Sequence, residues 1–134
     1  MTNLEIVKQK LYEKNASLVV LYANGEYKEY YQNRINDIKD ILRENELALK
    51  GAVIADKVIG KVAGSILTVA GVKEIYADVM SKYAIPVLEK NNIKYGYKTL
   101  TEYVINNDKT GMCPMENKYK DEQDITKIYS EMVY

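Results

Sequence analysis

The sequence predicts a three-layer α/β/α domain built on a mixed sheet with an N-terminal hairpin. Three observations support this. Asn24-Gly25 separates two strand-like runs, a strong hairpin signal because both residues tolerate positive φ. Residues 72–97 read as strand, helix, strand, the pattern of a parallel crossover. Between these units lies residues 47–71, the least polar part of the chain, suited to burial. The 134 residues fit one domain spanning 1–134, and no linker or repeat divides them.

The elements follow in order. Leu4, Val7 and Leu11 recur at helical spacing, with Thr2 or Asn3 placed to cap that helix. Residues 17–22 form a continuous apolar strand. Residues 26–31 are more polar, as in an edge strand. Ile35, Ile38, Ile41 and Leu42 make a second helical stripe. Residues 49–64 read as a buried helix, because small residues at 52, 55, 60, 63 and 64 permit close packing. In a helix interior Gly60 and Gly64 would each cost about 1 kcal/mol relative to Ala. Gly71 would end that helix. Residues 72–79 form a strand, and Ser81 caps a helix over 83–91 with Pro86 in an early turn. Residues 93–97 form a further strand and 103–105 a short one. Residues 106–124 are turn-rich, and Ile125, Ile128, Tyr129 and Met132 mark a last helix.

Composition narrows the chemistry. The chain is 47% hydrophobic and its formal net charge is zero. Zero net charge argues against a nucleic-acid binder, which carries a basic face. Only Arg34 and Arg43 offer a guanidinium fork to phosphate. There is no His, Phe or Trp, and a single Cys, with thirteen Tyr. Without His, the commonest general base and the commonest zinc ligand are both missing. One Cys precludes an internal disulfide and suits a reducing compartment. The N-terminus lacks the features of a signal peptide, and no run reaches the ~18–20 apolar residues of a membrane span. Cytoplasmic residence without membrane attachment is expected. No phosphate loop or dinucleotide fingerprint is present. The clusters Tyr27-Tyr30-Tyr31 and Tyr95-Tyr97 could stack bases, but Tyr must also supply all the aromatic packing.

Three blocks are distinctive: Leu49 to Ala63, Val72 to Ser81, and Thr110-Gly111-Met112-Cys113-Pro114-Met115-Glu116. In this order they resemble an uncharacterised bacterial and archaeal domain family with the fold of the cytidine deaminases. The likeness extends from about Ser17 to Glu116. It implies a ligand site where the buried helix and the next one begin. A zinc deaminase presents His or Cys and then Glu at the first helix, and Pro-Cys-x-x-Cys at the second. The corresponding positions fall near Ala55-Asp56-Lys57 and Met80-Ser81-Lys82-Tyr83, and Cys113 matches neither. The resemblance therefore implies the fold without a metal or other cofactor.

Asp56, Lys57 and Cys113 are the candidate catalytic residues. Lys57 could donate a proton or bind an anion, with Asp56 orienting it; Asp56 could equally be a helix-start residue stabilised by the dipole. Without His, a reactive Cys113 would need Lys or a helix N-terminus to activate it, and otherwise it is a small buried hydrophobe. Asp78, Ser81 and Lys82 are candidate ligand-binding residues, because strand ends and adjacent helix starts hold ligands in α/β sheets, and Lys61 joins them because it lies four residues from Lys57, on the same face of the expected helix. Two functions are expected. The first is a metal-free site for a small nucleotide-like or modified-base ligand. The second is a non-catalytic, homo-oligomeric interaction or regulatory protein. A shared site requires its residues to converge on one pocket.

Overall fold

The computed structural model describes residues 1–32, 35–106 and 109–134. Eleven elements follow in the order α1 Asn3–Glu13, β1 Leu18–Leu21, β2 Tyr27–Tyr30, α2 Asn36–Glu44, β3 Val53–Ile59, α3 Lys61–Val69, β4 Glu74–Ser81, α4 Ile85–Lys90, β5 Lys94–Thr101, α5 Pro114–Tyr119 and α6 Ile125–Val133. The strands make one five-stranded sheet in the order β2-β1-β3-β4-β5. β1 is antiparallel to both β2 and β3, while β3, β4 and β5 are parallel. This is a mixed α/β domain.

Local chemistry explains most boundaries. Thr2 caps α1 by accepting from Glu5 N–H at 3.1 Å, and Glu5 suits the positive end of the helix dipole. The expected hairpin is present. Tyr22 N–H donates to Glu26 O at 2.8 Å, and Gly25 turns the chain at φ +93. Asp124 caps α6 through Thr126 and Lys127 N–H.

Side chains alternate across the sheet, which creates two cores. Val19, Leu21, Val53, Ala55 and Tyr76 pack against Val7 and Leu11 of α1. Leu18, Val20, Ile54, Ile75 and Ala77 face the other way, onto Ile38 and Leu42 of α2, Ile66 and Leu67 of α3, Leu88 of α4 and Ile128 of α6. Helices therefore cover both faces of the sheet. No helix is long and apolar enough to cross a membrane among the described residues.

The main departure from the sequence reading concerns residues 49–64. The expected single helix is a strand and then a helix: β3 runs through Val53–Ile59, and α3 starts at Lys61. β3 lies in the centre of the sheet, and its first four residues are all buried. A strand covered on both faces shows no polar alternation and reads like a buried helix. The β-branched Val53, Ile54, Val58 and Ile59 favour the strand. Gly60 is therefore the extended N-cap of α3 and lies outside its interior. β4 and β5 run past their expected ends, to Ser81 and Thr101. Ser81 closes β4, and Ala84 is the N-cap of α4. The short strand at 103–105 reduces to a bridge between Ile105 and Met112. The turn-rich stretch contains the short helix α5.

Candidate functional site: a buried carboxylate at the α3 corner

β3 and β4 end side by side, and α3 and the Ser81 turn begin there. The side chain at the centre of this corner comes from α5. Glu116 is 2% exposed. Its Oε1 accepts from Lys61 N–H at 2.6 Å and from Ser81 Oγ at 3.1 Å. Its Oε2 accepts from Val104 N–H. Ser81 Oγ in turn accepts from Tyr83 N–H at 3.1 Å. The carboxylate thus sits at the start of α3, where unpaired N–H groups and the helix dipole favour an anion.

Backbone shape makes room for it. A Cβ on Gly60 would lie 2.6 Å from Glu116 Oε1 and 2.5 Å from Val104 Cγ2. Only glycine permits this approach without a shift. α5 is tied down along its length. Cys113 N–H donates to Val104 O at 2.7 Å. Beyond the other end of α5, Lys61 Nζ donates to Lys120 O at 3.3 Å. Burial pushes the Lys61 ammonium below its usual range, and Asp121, Glu122 and Glu116 oppose that shift.

The structure brings two candidate residues, Lys61 and Ser81, together on Glu116. Cys113 belongs to the same strap through its backbone. The others lie elsewhere. Asp56 and Lys57 are neighbours in a strand, not residues at a helix start, so their side chains point to opposite faces. Asp56 is buried and accepts from Val58 N–H at 3.3 Å. Burial pushes its carboxyl up to about 7, against the opposing effect of the Val58 and Lys57 N–H groups. Lys57 is exposed and donates to Asn15 Oδ1 at 3.3 Å. Asp78 accepts from Tyr12 Oη at 2.6 Å on the α1 face. Lys82 is exposed and bonds Glu102. The expected convergence of Asp56, Lys57, Ser81 and Cys113 on one pocket does not occur. Of the two arginines, Arg43 donates to Val133 O and ties α2 to α6, whereas Arg34 lies outside the described residues.

Glu116 and Val104 were not among the sequence candidates. The available signal was Pro114 followed by Glu116, a proline and then an acid in the first turn of a helix. One further group at this helix is informative. Ser65 Oγ, one turn beyond Lys61 on α3, is fully buried and has no hydrogen-bond partner among the described residues. Ser65→Ala removes an unsatisfied hydroxyl, so it is expected to be neutral or to stabilise by up to about 1 kcal/mol. Urea unfolding checks this, and a loss of stability would reveal a partner for the hydroxyl.

The donor set does not suit zinc. Lys61 and Ser81 direct hydrogen-bond donors at a single carboxylate, and no group of three or more Cys, Asp or Glu residues could hold a metal among the described residues.

The sequence profile of the TM1506 domain of unknown function, DUF1893, matches residues 6–133. The chain belongs to the DUF1893 family. The crystal structure of a DUF1893 family protein (TM1506) from Thermotoga maritima superposes with a TM-score of 0.87 and 24% identity. The match covers 99% of this chain and 90% of that one. At that identity the likeness shows a shared fold. No curated protein matches this DUF1893 chain.

Proposed function

We propose that this DUF1893 domain is a metal-free relative of the cytidine deaminases, resident in the cytoplasm, that binds a small nucleotide-like or modified-base ligand without hydrolysing it. The observation that carries the metal-free, non-hydrolytic part of this reading is the Glu116 carboxylate at the α3 corner. A zinc deaminase places its ligands at the starts of two helices that follow parallel strands. The equivalent starts here hold Gly60-Lys61-Val62-Ala63 and Ser81-Lys82-Tyr83-Ala84. Glu116 fills the space between them with three accepted hydrogen bonds, where deamination would need a zinc-activated water. The strand order supports the deaminase-like reading, because β3-α3-β4-α4-β5 supplies both helix starts in one parallel unit.

Thermal-shift and ammonia-release assays with a panel of nucleosides and nucleoside monophosphates test the reading together. The expected result is a raised melting temperature with at least one nucleotide and no ammonia release from any. Steady ammonia release would contradict it, as would the lack of any shift across the panel.

One observation favours the second reading, a homo-oligomeric interaction protein. Tyr97, Leu100, Tyr103 and Ile105 are all exposed along edge strand β5 and the segment after it. A dimer in solution that loses its mass on Leu100→Lys would favour that reading.

A further inference from the structure

α1 packs across β1, β3 and β4 and leaves the same face of β5 uncovered. The gap forms a cleft of about 340 Å³ lined by Lys8, Tyr12, Tyr76, Tyr97 and Lys98. We propose that this cleft, remote from the α3 corner, binds a planar aromatic anion of the nucleoside monophosphate class. The proposal rests on the ligand-binding reading above and assigns it a place.

The aromatic wall is rigid. Tyr76 is buried in the sheet, and Tyr12 meets it edge to face at 6.2 Å between ring centroids. Their hydroxyls lie 2.9 Å apart, and Tyr12 also donates to Asp78. The hydroxyl end of this pair is therefore committed, and the exposed ring of Tyr12 is what a ligand meets first. Gly96 pairs with Tyr76 in the sheet. A Cβ there would lie 3.7 Å from Tyr76 Cδ1, at ordinary contact distance, so the glycine keeps the sheet surface beside Tyr76 free of a side chain.

The charged residues that line the cleft are both lysines, while the Asp78 carboxylate on the same face is held by Tyr12 Oη. Lys8 Nζ lies 5.2 Å from the Tyr76 ring centroid, and Lys98 Nζ lies 5.9 Å from that of Tyr12. Neither lysine is in an ion pair among the described residues, whereas Lys94, further along the same face, is paired with Glu74 at 3.8 Å. Both lysines are exposed, and the cation–π contacts hold their ammonium groups against the rings of the cleft. The cleft volume falls within the usual range for small-molecule sites, which are apolar surfaces with a few placed charges. A flat ring over Gly96 against Tyr12, with its phosphate between the two ammonium groups, satisfies both features.

Calorimetric titration with adenosine monophosphate, adenosine and inorganic phosphate tests this in the full chain. The wild type is expected to bind the nucleotide more tightly than either fragment. Lys8→Ala and Lys98→Ala are each expected to weaken it roughly tenfold, the effect of losing one charge-assisted contact. Lys50→Ala, outside the cleft, should bind as the wild type does. Nucleotide binding unchanged in both cleft variants would overturn the cleft assignment while leaving the ligand-binding reading intact. Absence of nucleotide binding in the wild type would overturn both. Phosphate binding as tightly as the nucleotide would remove the aromatic part of the proposal. A change in oligomeric mass on Lys98→Ala, without a change in binding, would make the cleft a subunit contact and overturn the site.

Discussion

Glu116→Ala is expected to lower the unfolding free energy by about 3–5 kcal/mol, the range for leaving buried partners unpaired. The variant strands Lys61 N–H, Val104 N–H and Ser81 Oγ together, all of which now bond this one carboxylate. Glu116→Gln should fall between the wild type and Ala. Its amide oxygen can still accept from Lys61 and Ser81, but its NH₂ would face the Val104 N–H. Gly60→Ala pushes a methyl group against Glu116 and Val104 and is expected to cost about 1–3 kcal/mol. Part of that cost should vanish in the Glu116→Ala background, because one of the two clashing atoms is then gone. Denaturant melts of the wild type and the four variants measure these values. An Ala variant within about 0.5 kcal/mol of the wild type would mean that Glu116 organises nothing.

Asp56→Asn is expected to stabilise the protein, and only at neutral and alkaline pH. The buried carboxyl titrates at about 7 when folded, against an ordinary value of 3.8. Between those values the folded state keeps a proton that the unfolded state has released. Wild-type stability attributable to this group is therefore fully present below about pH 4 and is lost as pH rises towards 7. Asn retains an oxygen to accept from Val58 N–H and has no charge to bury. The gain should be about 2–4 kcal/mol at pH 8 and near zero at pH 4. Melting temperatures across that range test it, and a gain independent of pH would place its origin outside the carboxyl titration.

Local signals made much of the fold legible. Thr2, Asn24-Gly25 and the stripe of Ile38 and Leu42 each act within a few residues, and each element formed where expected. β3 was obscured because burial on both faces removes the polar alternation that identifies a strand. Reading a helix there put its start near Asp56, several residues before the Lys61 at which α3 begins. Asp56 and Lys57 then looked like partners, although strand geometry sends them to opposite faces. Ser81 meets Glu116 at the place the strand-end rule marks, whereas the spacing argument for Lys61 assumed a helix through Lys57, which β3 replaces. Glu116 was out of reach of such reasoning. It follows Lys61 by 55 positions, and its role depends on a strap whose path is set by tertiary packing. The cleft over Gly96 was hidden for a related reason, since it exists because α1 stops short of β5.

If Glu116 organises the α3 corner without a metal, protein produced in zinc-supplemented medium should melt at the same temperature before and after exhaustive chelation, because Glu116 and its donors remain intact when metal is removed. A drop of about 5 °C or more on chelation, the scale of losing one to two kcal/mol in a domain of this size, restored by one equivalent of zinc, would contradict it.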